Sequence, residues 1–213
     1  METYRPYLMS VFRAPIAPYW DAGAQRFHAA TTEPQGTVPL SDVALYIQED
    51  RGLKRLTETV RSMRDLRAAK SRLLPYVTPM AVLSRRNAAS VVSTSGLVVI
   101  DFDKADAGFD LEGAKLKVFE TLRQVRLAFV SPSGRGLKFF VDLGRDTSAM
   151  DSWLLGEEFH CLNLFISSLL DGGSITADEV GRDLCRACFL CHDPHALYRS
   201  SPAECSVSPP GGF

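Results

Sequence analysis

Asp101 and Asp103 flank Phe102 at the end of the apolar run Leu97–Ile100. Side chains two apart on a strand project from one face, so both carboxylates point together while Ile100 and Phe102 face the other way. Two like charges this close repel, and a bound divalent cation is the usual means of keeping both ionised. A solvated strand end is the plainer account of the same pair. A second stretch with chemical potential is Ser131-Pro132-Ser133-Gly134-Arg135-Gly136. Its small residues let backbone N–H groups and the Ser133 hydroxyl approach phosphate oxygens, with Arg135 and Lys138 supplying positive charge. It lacks the Gly-Lys-Ser/Thr ending of a Walker loop, and an ordinary glycine-containing hairpin is the competing account. Asp178 and Arg186 offer a third carboxylate and a further cation. Glu179, Asp183 and Asp193 are rivals for the carboxylate role, against plain loop solvation.

Cys185, Cys188, Cys191, His192 and His195 have the composition of a zinc site. The segment reads as a strand, however, and residues three apart on a strand face opposite ways, so buried thiols are the expectation. No Ser-His-Asp order, His-Glu-x-x-His helix or Gly-x-Gly-x-x-Gly after a strand is present, which argues against hydrolase, zincin and dinucleotide-binding chemistry.

The elements that must position these residues follow from period and punctuation. Leu97–Asp103 is a strand, 110–123 a helix, and 126–130 a second strand. After the 131–136 turn comes a third strand at 137–143, then a long helix at 150–170 and a last strand around 186–191. That order, β-α-β-β-α-β, predicts an α+β fold with an RNA-recognition-motif-like or ferredoxin-like core, its first strand lying between the third and the fourth. Lys138 then neighbours Asp101 and Asp103 from one side, with Asp178 and Arg186 arriving from the other.

The first 40 residues hold Pro6, Pro15, Pro18, Pro34 and Pro39 and predict irregular chain with a short strand near 7–12. A helix capped by Ser41 runs to Glu49. A second places Leu53, Leu56, Val60 and Met63 on one face, bounded by Pro75 and Pro79. Between Arg51 and Arg86 ten Lys or Arg stand against only Glu58 and Asp65, inside a chain of net charge −1. The expected organisation is therefore a mainly helical, basic N-terminal part (1–90), a catalytic core (91–200) and a flexible tail (201–213). The tail's Pro209-Pro210-Gly211-Gly212 reads as a linker to a further domain.

With 213 residues and 46% hydrophobic content, the chain can bury a substantial core. Its longest apolar runs fall well short of the ~18 residues of a membrane span, and Arg5 and Pro6 interrupt any signal peptide. Five cysteines, an odd number, argue for reduced thiols and a cytoplasmic setting.

Taken in order, the segments Lys70–Pro75 with Thr78-Pro79, Ser95-Gly96-Leu97 into Ile100-Asp101-Phe102-Asp103, Ser131–Lys138, and Arg186 through Asp193-Pro194 to Tyr198 resemble a known family. It is the primase-like domain of the archaeo-eukaryotic primase superfamily, in the mobile-element branch catalogued with the VirE N-terminal domain. The resemblance implies a DNA primase or primase-polymerase serving replication of a mobile element. In that reading Asp101, Asp103 and Asp178 are catalytic and bind Mg²⁺ or Mn²⁺, while Ser131, Ser133, Gly134, Arg135, Gly136, Lys138 and Arg186 contact the nucleoside triphosphate. Where the superfamily commonly has histidine, this chain has Lys138. Arg61, Arg64, Arg67 and Lys70 would track a single-stranded DNA template or primer-template, and a helicase or other replication domain is the expected C-terminal partner. The alternative is a catalytically silent single-stranded-DNA-binding or replication-initiator module of the same fold.

Overall fold

A computed structural model describes residues 6–145, 147–150, 152–170, 175–177 and 183–200. In chain order its elements are β1 (Leu8–Phe12), β2 (Tyr19–Asp21), β3 (Arg26–His28), β4 (Gly36–Pro39), α1 (Leu40–Glu49), α2 (Arg51–Ser62) and α3 (Leu66–Leu73). Then come β5 (Tyr76–Thr78), β6 (Ala81–Leu83), β7 (Val91–Thr94), β8 (Leu97–Asp103), α4 (Leu111–Thr121), β9 (Val125–Val130) and β10 (Leu137–Asp142). The last are α5 (Ser152–Leu169), β11 (Thr176–Ala177), β12 (Cys188–Phe189) and β13 (Leu197–Tyr198). The fold is mixed α+β with antiparallel sheets.

The described strands build a five-stranded sheet in the order β11-β8-β10-β9-β13 and a four-stranded sheet in the order β12-β5-β1-β4. Alternation along β8 and β10 decides what each face of the larger sheet covers. Val98, Ile100, Phe102, Leu137, Phe139 and Val141 point to one side and pack with Val118 of α4 and Leu155, Phe159 and Ile166 of α5. Leu97, Val99, Phe129 and Phe140 point to the other side, where they meet Tyr7 and Met9 around β1, Val77 of β5, Val43 and Ile47 of α1, and Cys188 of β12. Asp101, Asp103 and Lys138 share the parity of this second set, so they face the smaller sheet rather than the helices.

Three expectations are corrected. The N-terminal part is not mainly helical, because β4 and β5 join the expected strand β1 in a sheet there; strands of three or four residues beside prolines carry too little periodicity to announce themselves. The last strand expected on β8 lies elsewhere: Cys188 and Phe189 pair with Val77 and Tyr76 of β5, while Thr176 and Ala177 take the place opposite Asp103 and Phe102. The apolar side chains of Cys188, Leu190 and Cys191 draw that segment into the core between the sheets. The single basic helix expected around 51–72 proves to be two. α2 closes at Met63, and Asp65 starts α3 by accepting the Ala68 N–H at 3.0 Å. One smaller difference is that α1 begins at Leu40 after Pro39, ahead of Ser41. Because β12 completes a sheet made of residues before 80, the packing crosses the expected boundary at residue 90.

Among the described residues, no helix is long and apolar enough to cross a membrane.

Candidate functional site

Strand β8 ends at Asp103, where Lys104 takes a left-handed conformation (φ 62°) and turns the chain off the sheet. The carboxylates are thus on the last residues of a central strand, at the mouth of the seam between the two sheets. Lys138 lies directly opposite Asp101 in the β8–β10 register, and its ammonium hydrogen-bonds Asp101 Oδ2. Both side chains are largely buried, with Asp101 12% and Lys138 9% exposed. From β12's side, the Arg186 guanidinium comes within 4.0 Å of the same oxygen. Asp101 Oδ1 is buried and has no hydrogen-bond partner among the described residues.

Burial by itself would lower the Lys138 ammonium pKa, but the Asp101 carboxylate, with Cys188 and Asp103 nearby, outweighs it and raises the pKa. Cys188 closes the wall across from Lys138. Burial pushes its thiol up to about 11, opposed in part by Lys138.

The Ser131–Gly136 turn packs on the end of β8. Ser131 N–H donates to the Gly136 carbonyl at 2.8 Å, Gly134 N–H to the Ser131 carbonyl at 2.9 Å, and Arg135 N–H to Ser133 Oγ at 3.2 Å. Ser131 and Ser133 hydroxyls meet at 2.9 Å. The expectation that this turn offers its N–H groups to phosphate therefore needs revising, since these three are already bonded within the turn. Arg135 reaches back to the Ala105 carbonyl through Nη2 at 2.9 Å and anchors the turn to the segment after β8.

Arg61 also differs from its expected part on a nucleic-acid face. Its Nε and Nη2 donate to the Pro132 and Ser131 carbonyls at 3.2 and 3.3 Å, so α2 braces the turn. No local pattern around Arg61 signals a contact 70 residues away. Arg64 and Arg67 are exposed and Lys70 is half-buried.

Asp178 and Glu179 lie outside the described residues. Of the other rivals, Asp193 is committed to structure: its Oδ2 accepts from Lys115 Nζ at 2.9 Å and from Val130 N–H at 2.8 Å, and its Oδ1 from His195 N–H at 3.0 Å. Asp183 Oδ1 accepts from Cys185 N–H at 2.8 Å. The cysteines disperse into two clusters, Cys185 beside Phe12 and Tyr76, Cys188 and Cys191 in the seam between the sheets. No group of three or more His, Cys, Asp or Glu side chains able to hold a metal occurs among the described residues. What they supply is a pair of hard oxygen donors on one strand face, one with an unpartnered buried oxygen, and that fits the ligand preference of Mg²⁺ or Mn²⁺.

Residues 68–198 match the family described as BT4734-like, N-terminal domain, and the chain belongs to that family. The matched stretch contains Asp101, Asp103, the 131–136 turn, Lys138 and Arg186, but not Arg61, Arg64 or Arg67. No curated protein and no solved structure matches the chain significantly.

Proposed function

We propose that the chain is a metal-dependent nucleotidyltransferase of the DNA primase or primase-polymerase type. The observation that carries this reading is the convergence at the end of β8: two carboxylates on one face, Lys138 and Arg186 at Oδ2 of Asp101, and its buried Oδ1 without a partner among the described residues. The antiparallel order β11-β8-β10-β9 supports the RNA-recognition-motif-like core that the primase resemblance implies.

In the proposed reaction a primer or nucleotide 3′-hydroxyl oxygen attacks the α-phosphorus of a triphosphate, the bond to the pyrophosphate oxygen breaks, and the hydroxyl proton is lost to solvent. Mg²⁺ or Mn²⁺, held by Asp101 and Asp103 with Asp178 proposed as third ligand, supplies activation of the hydroxyl and charge stabilisation of the pyrophosphate. Lys138, Arg186 and Arg135 neutralise the triphosphate as negative charge moves onto the leaving group. Arg64, Arg67 and Lys70 remain for template phosphates, while Arg61 acts by holding the turn. Single-stranded DNA, nucleoside triphosphates and a replicative helicase are the proposed partners.

One observation favours the second reading, a silent single-stranded-DNA-binding or replication-initiator module: Lys138 already neutralises Asp101. Primer synthesis on single-stranded DNA, with ribo- or deoxynucleotides and Mg²⁺ or Mn²⁺, separates the two. Incorporation that vanishes in Asp101→Ala and Asp103→Ala, with the circular-dichroism spectrum unchanged, is the expected outcome. Absence of incorporation by the parent chain under all four conditions, with DNA still bound, would establish the binding module instead.

A further inference from the structure

Among the described residues, Asp101 Oδ2 is engaged without any ligand: the Lys138 ammonium hydrogen-bonds it and the Arg186 guanidinium lies 4.0 Å away. A divalent cation entering alone would have to share the Asp101 carboxylate with the Lys138 ammonium, in a site where both residues are buried, and two positive charges held side by side away from water are costly. A triphosphate entering alone would meet two carboxylates. A metal–triphosphate complex brings both signs at once: the carboxylates take the cation, and the phosphates give the displaced Lys138 ammonium a new counter-charge. Asp101 Oδ1, buried and unpartnered, is the oxygen left for the cation.

We propose that Lys138 is an internal counter-ion that holds Asp101 against free metal until a triphosphate draws its ammonium away, so that cation and nucleotide bind as one unit. This rests on the nucleotidyltransferase reading. Lys138 stands directly opposite Asp101 on the neighbouring strand, and its flexible four-carbon stem lets the ammonium move between carboxylate and phosphate while β10 stays in place. Arginine at this position would keep the charge and the restraint; a neutral side chain of similar length would lift it.

Titration of the full chain with Mn²⁺, read from the free-ion electron paramagnetic resonance signal, tests this with and without an α,β-imido nucleoside triphosphate. The unsubstituted protein is expected to bind Mn²⁺ weakly alone and at least about tenfold more tightly with the triphosphate, the scale of one charge-assisted contact. Lys138→Met should bind Mn²⁺ alone about tenfold or more tightly than the unsubstituted protein and gain little from the triphosphate, while Lys138→Arg keeps the original pattern. Arg186→Met, half-buried and 4.0 Å from the carboxylate, should shift Mn²⁺ affinity in the same direction by less, and it carries the test if Lys138→Met fails to fold. The inference is overturned if neither methionine variant gains affinity for Mn²⁺ alone, or if the unsubstituted protein binds Mn²⁺ equally well with and without triphosphate. Incorporation is scored separately: primer synthesis with no gain in Mn²⁺ binding removes the counter-ion role only, whereas the gain without primer synthesis removes the polymerase reading only.

Discussion

Gly136 sits where the turn enters β10, and a Cβ built on it runs into the Phe102 carbonyl and lies 2.9 Å from both Asp103 Oδ1 and Ser131 Oγ. The sequence suggested that small residues here make room for a phosphate; the room is in fact used by β8 itself. Gly136→Ala is therefore expected to destabilise the protein by about 1–3 kcal/mol, as forced overpacking does, and to displace the Asp103 carboxylate. Urea unfolding measures the first effect. Gly144→Ala is the control: it has positive φ (67°) but open space at its Cβ, so only the conformational cost applies. A midpoint for Gly136→Ala no lower than that of the control would show that the turn does not press on β8. At this scale the sequence was informative wherever a strand's period of two governs, as for Asp101, Asp103 and Lys138. It was silent on Arg61 and on Cys188 as neighbour of Lys138, because those contacts are made across the fold.

The segment from Leu190 to Ala196 is an element without regular structure, held in place by hydrogen bonds. Leu190 N–H donates to the Pro75 carbonyl at 2.9 Å, His192 N–H to Thr57 Oγ1 at 2.8 Å, and Asp193 N–H to the Ile47 carbonyl at 3.0 Å. Asp193 then joins this segment to α4 through Lys115, which is only 1% exposed. Removing one partner of a buried ion pair costs about 3–5 kcal/mol because the other charge is left without water or counter-ion. Glu112, 2.9 Å from the same ammonium and more than half exposed, offsets part of that. Asp193→Ala should thus lose stability toward the lower end of the range by denaturant unfolding, and adding Lys115→Met should restore much of it. A loss below ~1 kcal/mol would mean that Glu112 alone satisfies Lys115. The strands and helices from 97 to 170 were legible to within two or three residues at their ends, since each is long enough to display its period. Thr176–Ala177 and Cys188–Phe189 are two residues each. Which sheet such a short piece joins is decided by the apolar side chains around it, and that information is not local.

At the scale of the whole molecule, three thiols are buried among the described residues. Burial raises Cys185 and Cys188 to about 11 and Cys191 to about 12, above the ordinary thiol value of 9.0. Their folded pKa values are raised, so their contribution to stability is intact below about pH 9, where both states keep the proton. It is lost as pH rises toward 11–12, because the unfolded chain releases its protons first. Denaturant midpoints should fall between about pH 8 and about pH 10, and Cys188→Ala with Cys191→Ala should flatten that fall. A midpoint independent of pH over this range would show the thiols to be solvated. Maleimide labelling resolved by peptide mass should likewise mark exposed Cys161 in the native protein, and Cys185, Cys188 and Cys191 only after unfolding. The placement of β12 also matters during synthesis. A ribosome that has translated Asp101, Asp103 and Lys138 has not yet supplied the strand that pairs with β5 and brings Cys188 into the wall facing Lys138. A product terminated before residue 188 would present β5 as an unpaired edge, the kind of surface on which other chains add and precipitate. Translation through β12 is therefore what covers the edge of β5 as well as what completes the wall of the site.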